Sequence, residues 1–307
     1  MQLLQGKAVI ITGSGRGIGA ACAKGVARRG AKVVVNDVDA IEAEETVAAI
    51  VAAGGEAVSC IADITKWDEA GRLIETCISA FGRIDGLVNN AGLFHVAWAH
   101  ELDPAAAQAM IDVNVTGSLF CAAQAVKPML AQRSGSIVNV VSGAMLGMPA
   151  LGAYSATKGA VASMTYSWAL ELAGTGVRMN GLSPFGATRM QLPPGYVPVE
   201  VAEKMNEEIQ KPEANSPVVE FLLSDLSKHV NGQLLRLNKQ DLHLYTHPAL
   251  LLPAAVREEW TAEAIAGAFE QEFNGRQIAS GVMGMTELPV ELSKAGLWKG
   301  VPMKEPT

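Results

Sequence analysis

Between Lys7 and Arg29 the chain reads as a short apolar, β-branched run, a loop in which glycine recurs, and a helix-like segment. Few folds accommodate that order of elements. Lys7-Ala-Val-Ile-Ile11 predicts a strand, Thr12-Gly-Ser-Gly-Arg-Gly-Ile-Gly19 a loop, and the residues to about Arg29 a helix. Glycines let a backbone turn tightly and approach a pyrophosphate, which can rest on the unpaired N–H groups where the helix begins. The G-x-G-x-x-G spacing counted from Gly13 is broken by Ile18, whereas T-G-x-x-x-G-x-G fits at Thr12, Gly13, Gly17 and Gly19 without a mismatch. Such a loop alone is a weak sign of a nucleotide; after a strand and before a helix it is a much stronger one.

The alternation continues. Strands are predicted at 31–35, 57–61, 84–88, 136–141, 176–182 and 232–237, and helices at 40–53, 66–81, 104–130, 154–172 and 217–226. Strands alternating with helices imply an α/β fold, a doubly wound parallel sheet of the Rossmann type, with ligands at the strands' C-terminal ends. We read a single domain over residues 1–240 that includes the site and a substrate lid at 189–216, where Pro193-Pro194-Gly195 and Met205 suit a mobile flap. Residues 241–307 read as an extension, with a Leu- and Pro-rich stretch at 247–253 and a helix at 261–273. It has too little core to stand alone and is expected to pack on the body or on a neighbouring subunit.

Residues 140–158, VVSGAMLGMPALGAYSATK, carry the candidate chemistry. Ser142 follows the run at 136–141, and Tyr154 and Lys158 lie four apart in a segment whose apolar positions continue through Val161, Met164, Trp168 and Leu172. Residues four apart share a helix face, so phenol and ammonium can lie side by side. A free Tyr titrates near about 10, and a neighbouring ammonium favours the phenolate. The three side chains read as one proton-transfer site. Y-x-x-x-K by itself is more often an amphipathic pair at a helix surface; the strand end, the Ser loop and the glycine loop upstream reverse that reading.

On these motifs the chain resembles the short-chain dehydrogenase/reductase family over roughly residues 5–240. That family has a Ser and then Tyr-x-x-x-Lys in its active site, a nucleotide loop of the T-G-x-x-x-G-x-G form, and an Asn-Asn-Ala-Gly signature matched by Asn89-Asn90-Ala91-Gly92. The resemblance implies a nicotinamide nucleotide on Gly13, Arg16, Gly17, Ile18, Gly19 and Asn90, with Asp63 and Ile64 at the adenine and Thr188 at the nicotinamide carboxamide. It gives Lys158 the nicotinamide ribose as well as the Tyr154 phenolate. It gives Asn114, in the polar interruption 112–117 of a predicted helix, a water that passes protons from Lys158 toward solvent; a locally bonded helix kink is the other reading of that Asn. The helices of Asn114 and Tyr154 are the family's usual subunit interface, which implies a homodimer or a homotetramer. One departure stands out. Phe185 occupies the place of the family's Gly after Pro184, and Thr188 comes one residue early; Phe visits positive φ less freely than Gly.

Asp37 follows the second strand, where a carboxylate can accept hydrogen bonds from the adenosine ribose. A 2′-phosphate would meet it at close range, and Asn36, Val38 and Asp39 offer no compensating cation. NAD is therefore expected rather than NADP, with Arg16 the residue that counts the other way.

Net charge is −7 with no basic cluster longer than Arg28-Arg29, which argues against nucleic acid and anionic membrane surfaces. No apolar run is read as approaching the roughly 20 residues of a membrane span, and the N-terminus runs straight into a strand, so a cytoplasmic location is expected. The four cysteines fall in apolar segments without C-x-x-C spacing and read as reduced core thiols. His243 and His247 lie four apart without a third ligand nearby, and no metal is expected.

The expected function is an NAD-dependent oxidoreductase interconverting a secondary alcohol and a ketone, with Asn114, Ser142, Tyr154 and Lys158 as its catalytic set. A small-molecule substrate bordered by Leu93, Phe94, His95, Ala144, Met145, Leu151, Phe185 and Met190 would be hydrophobic or alicyclic. Two alternatives stay open: a reductase or dehydrogenase of 3-oxoacyl or 3-hydroxyacyl thioesters, and a nucleotide-binding scaffold without turnover.

Overall fold

The apolar runs become strands β1 Ala8–Ile11, β2 Lys32–Asp37, β3 Glu56–Ile61, β4 Gly86–Asn89, β5 Gly135–Val140, β6 Val177–Leu182 and β7 Leu234–Asn238. The computed structural model describes residues 2–185, 210–248 and 253–276. β1 pairs in parallel with β2 on one side and β4 on the other, Ile10 lying opposite Val34 and Leu87. From that pair the sheet grows outward in both directions, in the order β3-β2-β1-β4-β5-β6-β7 with one further strand beyond β7. Strands β1, β4 and β5 are buried throughout, which is why their sequences are apolar runs rather than alternations.

The eighth strand, β8 Asp241–Leu244, pairs antiparallel with β7 through a turn at Lys239 and Gln240, Lys239 taking φ +53°. The sequence reading ends the sheet at 237 and misses it. Asp241-Leu-His-Leu244 alternates as an edge strand should, yet all four residues are exposed and the turn lacks glycine, so the usual hairpin signal is absent.

Helices α1 Gly17–Arg28, α2 Ala40–Ala52 and α7 Ser216–Leu223 contribute to the core on one face of the sheet, where Cys22, Val26, Ile50, Val219 and Leu222 meet Val9, Ile11, Val33, Val35 and Leu182. On the other face α3 Trp67–Phe81, α5 Ser118–Gln132 and α6 Gly152–Glu171 bring Leu73, Cys77, Cys121, Met129 and Ala169 against Ile10, Val34, Leu87, Ile137 and Met179. The cysteines are free and buried, and burial pushes the thiols of Cys22, Cys77 and Cys121 up to about 12. A last helix, α8 Ala262–Gln271, has Thr261 as its N-cap, accepting from the Ala264 N–H.

Local chemistry sets the helix ends. Asp39 caps α2 by accepting from the Ile41 and Glu42 N–H groups, and Asp103 caps α4 Pro104–Met110 with Pro at its first turn. α1 has no side-chain cap, so its first N–H groups stay available at the glycine loop. Between α4 and α5 the chain does not break at its polar interruption. Ile111–Gly117 widens into a π-helical turn and the helix runs on. By length and hydropathy the combined helix Pro104–Gln132 could cross a membrane, which corrects the reading that no run approaches a span. It carries Asp112 and Lys127, however, and buries Asn114, Ser118, Cys121 and Met129 within the protein.

Asp85, 5% exposed, anchors the start of this layout: its Oδ2 accepts from the Ala8 N–H at 2.9 Å and from Arg83 Nε at 2.8 Å. Replacing it strands a buried donor and removes the arginine's counterion. Asp85→Ala should lower the unfolding free energy by about 2–3 kcal/mol. Urea unfolding checks this; a midpoint within error of the parent would mean that water replaces the carboxylate without loss.

Candidate active site

The C-terminal ends of β1 and β4 lie side by side where the strand order switches from one half of the sheet to the other, and side chains tie the two turns together. The Thr12 hydroxyl accepts from the Asn90 and Ala91 N–H groups, both at 3.0 Å, and Asn90 Nδ2 donates to the Thr12 and Gly13 carbonyls, both at 2.9 Å. Gly13 takes φ +59°, and a Cβ there would lie 2.7 Å from the Ala91 Cα; at Gly19 a Cβ would collide with the Asn90 amide and the Gly13 carbonyl. Gly17, also at φ +59°, would point a Cβ into open space. The loop thus presses one side on the Asn90 turn and offers backbone on the other. That is a cradle a pyrophosphate fits. Ile18 packs against the core on the α1 side, while Arg16 is half exposed.

At the end of β2, Asp37 Oδ2 accepts from the Gly15 N–H at 3.0 Å, and Oδ1 accepts from the Val38 and Asp39 N–H groups at 2.9 and 3.2 Å. Arg16 Nη1 donates to Glu42 Oε1 at 3.2 Å. Glu42 was not singled out in the sequence, although Asp39-x-x-Glu42 has capping-box spacing; here the Glu reaches the arginine. Asp63 accepts from the Thr65 hydroxyl and N–H at 2.7 and 3.0 Å, and these bonds hold its carboxyl below the usual range. Ile64 is buried against the Gly117 backbone, where a Cβ would be 2.6 Å from its Cδ1.

Ser142 is extended after β5 and accepts from the Ala144 N–H at 3.2 Å, opening the short turn Gly143–Leu146. Tyr154 and Lys158 stand on one face of α6. The Tyr154 ring meets Phe94 edge-on, with centroids 5.0 Å apart, and Lys158 Nζ lies 5.8 Å from the Tyr154 centroid. Lys158 is 4% exposed and donates to the Val140 carbonyl at 2.8 Å. Burial lowers its pKa to about 8. Burial also raises the Tyr154 phenol above its ordinary value, while a hydrogen bond with Ser142 pulls it down. The sequence reading made the ammonium the cause of a lowered phenol. In the structure the opposing influence is the Ser142 hydrogen bond, and the ammonium donates to the Val140 carbonyl.

Asn114 sits in the π-helical turn, 1% exposed. Its Oδ1 accepts from the Leu93 N–H at 2.7 Å, and its Nδ2 donates to the Leu93 carbonyl and the Thr157 hydroxyl, both at 3.0 Å. The helix is distorted at this Asn, and its side chain is bonded to Leu93 and Thr157. A Cβ on Gly92 would touch Asn114 Oδ1 at 3.3 Å and Lys158 Nζ at 3.7 Å, so a residue without a side chain lets the signature turn close over both. Thr157 and Gly92 lie against Asn114 and Lys158 although spacing did not single them out; the signal was their place inside Y-S-A-T-K and N-N-A-G.

Of the expected pocket border, Leu93 and His95 are exposed, Ala144 and Leu151 are buried, and Met145 packs toward Val141 and Val161 on the α6 side. Phe185 does not adopt positive φ, and Asn215 and Gln210 bond its backbone. Thr188, Met190 and most of the lid span 189–216 lie outside the described residues. His247 Nε2 lies 2.8 Å from the Gly232 carbonyl, and its ring leans on Tyr166.

The family model for short chain dehydrogenase matches residues 7–192. A 3-oxoacyl-[acyl-carrier-protein] reductase of Synechocystis sp. is 36% identical over 246 residues, which cover 76% of this chain and 96% of the relative. A cis-4-hydroxycyclohexanecarboxylate dehydrogenase of Sinomonas cyclohexanicum is 37% identical over 237 residues, covering 75% and 94%. Among solved structures, a short chain dehydrogenase from Mycobacterium avium aligns with TM-score 0.79 at 29% identity over 91% of this chain and 98% of its own. That share is larger than residues 1–240 can supply.

Lys158 makes the site's electrostatics measurable. Its folded pKa, about 8, lies below the ordinary 10.5, so between those values the unfolded chain binds more protons and stability rises with pH. The cost of burying the ammonium is complete below about 8. From about pH 7 to about pH 10 the unfolding free energy of the parent should gain about 2–3 kcal/mol relative to that of Lys158→Met. A difference that does not change with pH would mean that the ammonium is hydrated.

Proposed function

The chain belongs to the short chain dehydrogenase family, an oxidoreductase acting on CH–OH donors, and from that premise we propose that it uses NAD to interconvert a secondary alcohol and a ketone in a hydrophobic or alicyclic small molecule. The observation that carries this reading is the convergence of half-buried Ser142 and Tyr154 with buried Lys158 and Asn114 beside the glycine cradle.

Gly13, Arg16, Gly17, Ile18, Gly19, Asp37, Asp63, Ile64 and Asn90 are the proposed nucleotide residues. NAD is favoured over NADP because Asp37 stands at the ribose end and the one cation offered against it, Arg16, is already paired with Glu42. Bound NAD supplies the hydride acceptor or donor. The chain's own part is proton transfer and charge. In oxidation the Tyr154 oxygen takes the hydroxyl proton of the substrate; in reduction it returns it. Ser142 donates to the substrate oxygen as charge develops there. Lys158, directed by the Val140 carbonyl, supplies a proton or a positive charge according to pH, and Asn114 and Thr157 hold the turn that carries Phe94 against the Tyr154 ring. Exposed Ile111, beside α4, and Leu170 on α6 suit burial in a homodimer or homotetramer.

A second reading, reduction of 3-oxoacyl thioesters, is favoured by the similarity to 3-oxoacyl-[acyl-carrier-protein] reductases. Two measurements separate and test these readings. Tyr154→Phe should lower kcat by about 10²- to 10⁴-fold while NADH affinity, read by fluorescence titration, stays within about twofold; parallel loss of both would count against the assigned role. In the parent, NADH should bind at least about tenfold more tightly than NADPH, since a 2′-phosphate would face the Asp37 carboxylate. The reverse ranking, with NADPH-driven reduction of an acetoacetyl thioester, would move the assignment to the second reading.

A further inference from the structure

Beyond the C-terminal ends of β6 and β7 stands a polar group that the proposed proton chemistry does not use. The Ser183 N–H donates to the Leu235 carbonyl at 2.8 Å, which carries the β6–β7 pairing past Leu182 and sets Ser183 beside Arg236. The Ser183 and Tyr245 hydroxyls are 3.1 Å apart, and Arg236 Nη1 donates to the Tyr245 oxygen at 3.4 Å. The guanidinium carbon lies 5.2 Å from the centroid of the Phe185 ring. Ser183 is buried, while Arg236, Tyr245 and Phe185 are half-buried. This group is close to the candidate proton-transfer site. The Val141 N–H donates to the Leu182 carbonyl, so Ser142 leaves the sheet on the strand next to Ser183, two strand spacings or about 10 Å from the line of Arg236.

On its other side Arg236 faces β8. Its cross-strand partner on β8 is His243, and Asp241, two residues back on the same strand, is exposed. Among the described residues no carboxylate forms an ion pair with Arg236. A guanidinium stacked on an aromatic face, with one edge on a neutral phenol, has its plane fixed and retains donors for a planar anion. Phe185, which replaces the family's usual glycine, supplies that aromatic face.

We propose that Arg236 binds a carboxylate at the end of the substrate remote from the reacting alcohol, which makes the substrate class a hydroxy acid on an apolar or alicyclic frame. Phe185 and Tyr245 orient the guanidinium. For the location of the reacting carbon, the inference rests on the reading of Ser142, Tyr154 and Lys158 given above.

The test is calorimetric titration of the full chain, with NAD present, by cyclohexanecarboxylate and by its neutral match cyclohexanecarboxamide. The acid should bind at least about tenfold more tightly than the amide, the scale of a charge-assisted hydrogen bond. Arg236→Gln should erase that preference, and Arg236→Lys, which keeps the charge without the planar fork, should retain part of it. A melting temperature within about 2 degrees of the parent's identifies a folded variant. Equal affinities in the parent, no binding of the acid, or a preference that survives Arg236→Gln would each overturn the proposal. The readout is binding, so it separates the two readings: an Arg236-dependent acid preference in a protein that oxidises no alcohol would sink the alcohol-site reading and leave the anion site standing.

Discussion

The turn after β4 leaves the sheet without a ladder of its own, so its backbone polar groups must be bonded by side chains from elsewhere. Thr12 and Asn90 bond it to the glycine loop, and Asn114 bonds Leu93 from the π-helical turn. Through Thr157 the same Asn amide reaches α6, which carries Tyr154 and Lys158. One buried network therefore sets the distance between the nucleotide cradle and the candidate proton-transfer residues. Its members are short polar side chains, most of them buried, where an unmade bond is expensive, and that expense makes the geometry stiff.

Burial also governs the charges. Lys158 is nearly inaccessible and has a carbonyl, not a carboxylate, as its partner, so burial works against its charged form. Tyr154 is pushed the other way by the same cause. The same cause thus sets the two groups apart, the ammonium giving up its proton more readily and the phenol less readily, before any ligand adds its own charge. On the proposed reading Lys158 is the group brought toward the working range, and the Ser142 hydrogen bond is what works against the rise of the Tyr154 phenol.

Much of the fold could be read from the chain because its signals are local. Buried parallel strands appear as apolar runs, and the glycine loop declares its close approaches at Gly13 and Gly19. Other features escaped for physical reasons. β8 is an exposed edge four residues long, and alternation that short resembles a loop. The Arg16–Glu42 pair joins a loop to the next helix, and such pairs leave no mark in spacing. Arg236 reads as one more basic residue in a terminal strand until Phe185 and Tyr245 are folded against it.

What the sequence by itself determined is the order of strand, glycine loop and helix, the apolar periods that oblige a doubly wound sheet, and which side chains with acid–base chemistry fall near strand ends. Only the tertiary structure decided what those side chains do to one another. It turned the Lys158 ammonium to the Val140 carbonyl, made Ser142 the group that opposes the rise of the phenol, spent Asn114 on Leu93 and Thr157, and paired Arg16 with Glu42. The reason is range. Periodicity and turn chemistry act over a few residues and are written in order along the chain, whereas desolvation and hydrogen-bond choice depend on which distant segments close around a group.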